Sequence, residues 1–146
     1  MVEVIIAIIS MLIAFIGISI AYISHRRSVL DAIWQWTQLD GRQDVVDARL
    51  FVQYELKEYD PADIQKNKDT IATKIAPIIN AYHHLGMLMK RHYISARVFK
   101  RNSTGITIIG IFEKLRPYIN AVRENNNKYY ASGFEYLYSE VKKYHL

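Results

Sequence analysis

The chain has 146 residues, a formal net charge of +5 and no Cys. That length holds one small domain, and the missing Cys excludes a disulfide scaffold or a thiolate metal cluster. Hydrophobic residues make up 51% against 23% charged, which excludes a disordered chain.

From Val4 to Ser24 the chain runs 21 residues without a charge, and twelve of them are Ile, Leu, Phe or Val. At 1.5 Å per residue this covers about 30 Å, the thickness of a bilayer core, so the stretch reads as a transmembrane helix. A core helix this apolar would need wrapping on every side, more than the remaining residues supply. Only Glu3 precedes the run as a charged side chain, whereas His25-Arg26-Arg27 follow it. Arg26 and Arg27 are the topology signal: positive flanks stay in the cytoplasm, which predicts an outside N-terminus and a cytoplasmic body in a bacterial inner membrane. Ser19-Ile20-Ala21 has the small residues of a signal-peptide cleavage site, but no basic residue precedes the apolar run, and a retained anchor is expected. The division is therefore 1–27, anchor with basic flank, and 28–146, cytoplasmic helical domain.

Ala7, Ser10, Ala14, Gly17, Ala21 and Ser24 recur at alternating spacings of three and four. Such a seam of small residues lets helix backbones approach closely, where lipid offers no hydrophobic drive to associate. A homo-oligomer formed through this face is expected, with Gly17, near mid-span, the most sensitive position.

No Gly or Pro occurs between Ser24 and Gly41, so the same helix is expected to continue to about Leu39. Its apolar face there is Val29, Leu30, Ile33 and Trp36, while the small seam would continue through Ser28, Asp31, Gln35 and Gln38. The apolar face thus turns from the seam toward the chain's own domain. Gln43 to Tyr59 is amphipathic, with Val46, Leu50, Phe51 and Tyr54 on one side. Asp60-Pro61-Ala62-Asp63 has the N-cap, first-turn Pro and acid of a helix start, leading to Ile64, Ile71 and Ile75. Pro77 is expected to kink or end that helix, and the pattern resumes through Ile78, Ile79, Tyr82 and Leu85 to Gly86. Ser95 is placed to cap a short helix, Ala96 to Arg101, before a loop Asn102-Ser103-Thr104-Gly105. Ile108, Ile111, Phe112, Leu115, Ile119 and Val122 form the next apolar stripe, with Pro117 inside it. After Glu124-Asn125-Asn126-Asn127 the last helix carries Phe134, Leu137, Tyr138 and Val141. No strand alternation persists, so the expected fold is all-α: one N-terminal transmembrane helix continuing into a bundle of five or six helices.

Ile79-Asn80-Ala81-Tyr82, Leu85-Gly86-Met87 and Tyr93-Ile94-Ser95 carry a resemblance. It continues through Phe112-Glu113-Lys114-Leu115-Arg116-Pro117-Tyr118-Ile119, Arg123, Tyr129-Tyr130 and Phe134-Glu135-Tyr136-Leu137. In these the chain resembles a family of small bacterial proteins known as a domain of unknown function, number 4760. The resemblance implies a single-pass layout, one N-terminal membrane helix ahead of a helical domain. It implies no activity.

Charge is unevenly placed. Residues 31–69 carry nine acids against five bases, and residues 86–128 nine bases against two acids. The densest basic face is Lys90, Arg91, Arg97, Lys100 and Arg101. Beside a membrane it suits anionic lipid headgroups; another protein, or the acidic half of a second copy, is the next candidate. Nucleic acid is a weaker one, because no recognised binding motif is present. His83 and His84 are adjacent, so on a helix they point about 100° apart and do not share a metal; one half-buried and one surface residue are expected. Trp34 and Trp36 are two apart and face different sides of one helix. HExxH, GxSxG and phosphate-cradling Gly-rich loops are absent. No catalytic residue, metal or cofactor is assigned. The leading expectation is a non-enzymatic membrane protein with a self-associating helix and a binding or assembly module. The alternative is a pore-forming effector that disrupts the membrane, and less favoured is a tethered nucleic-acid binder.

Overall fold

The structure, a computed structural model, describes residues 2–56, 68–125 and 127–145. The expected helix start at Asp60-Pro61-Ala62-Asp63 and its Ile64 lie outside the described residues. Helix α1 runs unbroken over Val2–Asp40, 39 residues and about 58 Å. It is long and apolar enough to cross a membrane, and none of its most apolar window is buried against the rest of the chain. Its lower end enters the core instead. Ala32 is buried there, and Ile33 and Trp36 pack beside it. Leu30, expected on this face, is 63% exposed. The 3.6-residue period lines up Val29, Ala32, Ile33 and Trp36, and turns Leu30 about 100° away from Val29 toward the open side.

Helix α2, Gln43–Leu50, passes directly into a π-helical turn, Phe51–Glu55. Val45, Ala48, Phe51, Val52 and Leu56 are buried, while Leu50 and Tyr54 are exposed and Val46 is half-buried. The expected face is thus rotated. The residues that point inward begin one position earlier, and the wider π turn brings the consecutive pair Phe51 and Val52 inward together.

Helix α3, Lys68–Lys90, continues through Pro77 and past Gly86, so neither residue ends it. Pro77 forfeits one backbone hydrogen bond. Ile75, Ile78 and Ile79 around it are fully buried, and that packing holds the helix together. Its real end is a Schellman motif. Tyr93 N–H donates to Leu88 O at 3.0 Å and His92 N–H to Met89 O at 2.9 Å, with His92 left-handed at φ 62°. Ser95 then caps a 3₁₀ turn, Ala96–Phe99, its hydroxyl accepting from Arg97 N–H. This is the expected short helix, ended two residues earlier. The residues expected as a loop instead open α4, Ser103–Asn125: Asn102 Oδ1 accepts from Gly105 N–H at 2.8 Å, an N-cap. Pro117 lies inside α4 as Pro77 does in α3.

Helix α5, Ser132–Lys142, buries Phe134, Leu137, Tyr138 and Val141, as its period implied. It lies chiefly against α3 and also against α4, while α2 covers another side of α3. Gly86 and Gly133 make the α3–α5 contact possible: a Cβ on Gly86 would land on the Gly133 carbonyl, and one on Gly133 on the His83 carbonyl. Around this crossing Phe134 meets Tyr82 edge-on at 5.1 Å and Phe112 at 5.0 Å, and Phe112 stacks on Tyr138 at 4.4 Å. All the described regular elements are helices.

Candidate interaction surfaces

Three places gather functional side chains: the junction of α1 with the bundle, the basic segment after α3, and a polar cluster between α4 and α5. At the junction, Arg49 forms an ion pair with Asp40, the last residue of α1, and both side chains are about four-fifths covered. Burial raises the Asp40 carboxyl above its usual range, and Arg49 pulls it back down. Tyr82 lies within their field, its phenol pushed up to about 12 by burial. Higher on α1, Trp36 meets Phe99 edge-on at 5.7 Å. Sequence reasoning missed both contacts, because neither partner pair is close in the chain.

The basic segment is pinned from within by Ile94, Ala96 and Phe99, all buried. Its five cations, Lys90, Arg91, Arg97, Lys100 and Arg101, are exposed, and none forms a side-chain ion pair among the described residues. Several other cations are engaged. Arg123 bonds Glu135 and the Tyr130 carbonyl, each at 2.9 Å, and Lys114 donates to Gln53 O at 2.7 Å. Each of the five predicted cations thus faces solvent.

In the third place, Tyr138 O–H donates to Glu113 at 3.0 Å and Lys142 reaches the Tyr138 oxygen at 2.6 Å. The hydrogen bond from Tyr138 first, then that from Lys142, lowers the Glu113 carboxyl. Glu113 and Lys142 each offset the other's charge at the surface, and Arg116 covers the Tyr138 ring at 5.2 Å. The arrangement ties α4 to α5. A groove of about 480 Å³ lies between the α1–α2 junction and α3, lined in part by Leu39, Val45, Asn80 and His84. Arg42 and Asp44 on its rim are paired with each other at 2.6 Å.

His83 is half-buried and His84 exposed, as expected. His83 Nδ1 accepts from Gly133 N–H at 3.2 Å, so its proton sits on Nε2 and the ring is neutral. Burial first, and the neighbouring His84 second, hold its pKa below the ordinary 6.5. A group held down in this way stabilises the fold above its free pKa, and that stability is lost as pH falls through the folded value. Thermal midpoints of the full chain should therefore fall between about pH 7 and about pH 5, and fall less steeply for His83→Ala. Equal slopes would remove His83 from the α3–α5 contact. No group of three His, Asp or Glu side chains suited to a metal occurs among the described residues.

The small seam of α1 is uncovered. A Cβ added at Gly17 would meet nothing within 4 Å. Below it Ser28, Asp31, Gln35 and Gln38 are all exposed, on the side away from the bundle. At the lower flank of the apolar run, Arg26 lies over the Tyr22 ring at 5.9 Å, both exposed. With this geometry in view, the profile of the domain of unknown function DUF4760 matches residues 4–141. The chain belongs to this family. In this DUF4760 member the match takes in the apolar part of α1 as well as the bundle, so the long helix belongs to the family unit. No curated protein and no solved structure matches the chain.

Proposed function

We propose that the chain is a non-enzymatic, single-pass membrane protein whose α1 anchors it, pairs with other copies, and holds a helical binding or assembly module beneath the bilayer. The observation that carries this reading is the two-part character of α1. Its apolar upper half has no cover from the chain itself, while its lower end is locked into the bundle through Ala32, Trp36 and Asp40. A helix of this build places a rigid body at a fixed distance from the membrane. Arg26 and Arg27 support a cytoplasmic body in a bacterial inner membrane.

Self-association is supported by the position of the seam. At about 100° per residue, Gly17 and Ser24 lie about a quarter turn from the bundle-facing line of Val29, Ala32 and Trp36, while Ala7 lies nearly along it. Crosslinking of the full chain in membranes should give a defined oligomer that Gly17→Ile reduces by about tenfold or more, because a branched side chain forces the backbones apart. Monomer alone, or oligomers indifferent to Gly17→Ile, would overturn the seam. Induced expression with a membrane-potential dye distinguishes the pore-forming alternative: depolarisation would favour it, and an unchanged potential favours the anchored module.

A further inference from the structure

The direction of α3 relative to α1 gives the basic segment a place. Leu39, near the lower end of α1, shares a groove with Asn80 and His84 of α3. Three residues higher, Trp36 meets Phe99, beyond the C-terminal end of α3. Climbing α1 toward its apolar half is therefore the same as climbing α3 from its middle to its end. From Tyr82 to Lys90, α3 rises about 12 Å, as α1 does from Asp40 to Ala32. Lys90 and Arg91 thus stand level with Ala32, about 12 Å below Ser24, where the apolar run ends, and the cations beside Phe99 stand at the level of Trp36, about 6 Å lower. The headgroup layer occupies about 5–8 Å of the gap above Lys90 and Arg91, whose extended side chains span what is left, and a tilt of α1 of about 20–40° toward this side brings Arg97, Lys100 and Arg101 closer to it.

We propose that Lys90–Arg101 is a docking rim for the anionic lipid headgroups of the leaflet that α1 leaves. The proposal rests on the reading that α1 spans the bilayer. Three observations carry it. The five cations are exposed and unpaired among the described residues, in contrast to Arg49, Arg123 and Lys142, each of which has a carboxylate. They sit at the end of the bundle that faces the apolar half of α1. Between and beside them, Val98 and Ile106 are 54% and 64% exposed, and Tyr93 is on the surface too. Basic side chains beside exposed apolar ones suit contact with a headgroup layer. Nucleic acid would use the same phosphate chemistry, but it explains neither the exposed Val98 and Ile106 nor the position on the membrane side.

The chain has no Cys, so Val98→Cys provides a single labelling site for a fluorophore on the full chain. The labelled protein is reconstituted in nanodiscs of phosphatidylcholine, with or without phosphatidylglycerol, and quenched with neutral acrylamide. Phosphatidylglycerol should cut quenching by about threefold or more. Salt at about 0.5 M should restore quenching. Replacing the five cations with Gln should abolish the protection, whereas Arg→Lys at positions 91, 97 and 101, or Lys128→Gln elsewhere, should preserve it. Equal quenching in both disc types would overturn the proposal. So would protection in neutral discs by a single-stranded oligonucleotide matching that given by phosphatidylglycerol, which would assign the rim to nucleic acid. A chain that fails to co-elute with the discs would overturn the spanning reading itself, and the rim with it. A chain that inserts without protection refutes the rim alone.

Discussion

Gly86→Val should cost the bundle about 3–4 kcal/mol, the largest loss expected from one substitution, because α3 and α5 touch backbone to backbone there. The added Cβ would lie inside the Gly133 carbonyl, and neither partner is the movable end of a side chain. Both helices would have to separate, opening the Phe134 pocket beside them. At about 4–8 °C per kcal/mol for a unit this small, near-ultraviolet circular dichroism of the detergent-held chain should show a midpoint lowered by about 15 °C or more. Gly110→Ala is the matched control. Gly110 also lies within a helix, but a Cβ there meets nothing within 4 Å. It should gain up to about 1 kcal/mol from helix propensity. A tolerated Gly86→Val would mean that the two helices do not meet at this point.

Phe134→Ala is expected to cost about 4 kcal/mol. Phe134 is fully buried and makes edge contacts with two rings, Tyr82 at 5.1 Å and Phe112 at 5.0 Å. Truncation removes the transfer energy of the ring, leaves a cavity between α3, α4 and α5, and loses ring-to-ring terms of about 1 kcal/mol each. Phe134→Leu should recover roughly half of the loss. Urea unfolding followed by Trp fluorescence measures both, since Trp36 sits at the edge of the same core. The effect should not add to that of Gly86→Val, because the first change already opens the pocket the second empties. Membrane fractionation of Phe134→Ala should be unchanged, for α1 meets its apolar surroundings independently of this core.

How far the sequence revealed this architecture depended on the distance over which each signal acts. The length of α1 was legible because an apolar run without Gly or Pro is a local property. So was the inward face of α5, where Phe134, Leu137, Tyr138 and Val141 keep a clean period. Faces were misplaced at two points: the π turn at Phe51–Glu55 shifts the buried side of α2, and the regular period of α1 sets Leu30 about 160° round the helix from Ala32. Helix ends were misread where local rules compete with packing. Pro77 and Gly86 look like stops in isolation, yet buried Ile residues surround the first and the second is a contact with Gly133. Asn102, taken as loop, is a cap. The five exposed cations could be named from the chain, but the proposed place of Lys90 and Arg91 toward the apolar half of α1 could not. That required Trp36 to meet Phe99 across 63 residues, a pairing that no periodicity encodes.

Because α1 has no break from its apolar half to Asp40, the angle at which the bundle hangs is set by residue count alone. One residue inserted after Arg27 would swing everything below by about 100° and lower it by 1.5 Å. Seven would bring it back to within about 20° of its starting bearing, roughly 10 Å farther down. In a pair of copies the two bodies would turn together, like cams on parallel shafts. Which of their surfaces would confront each other, and whether the proposed cationic rim would reach a bilayer, is therefore written in the number of residues between Ser24 and Trp36 as much as in their identity.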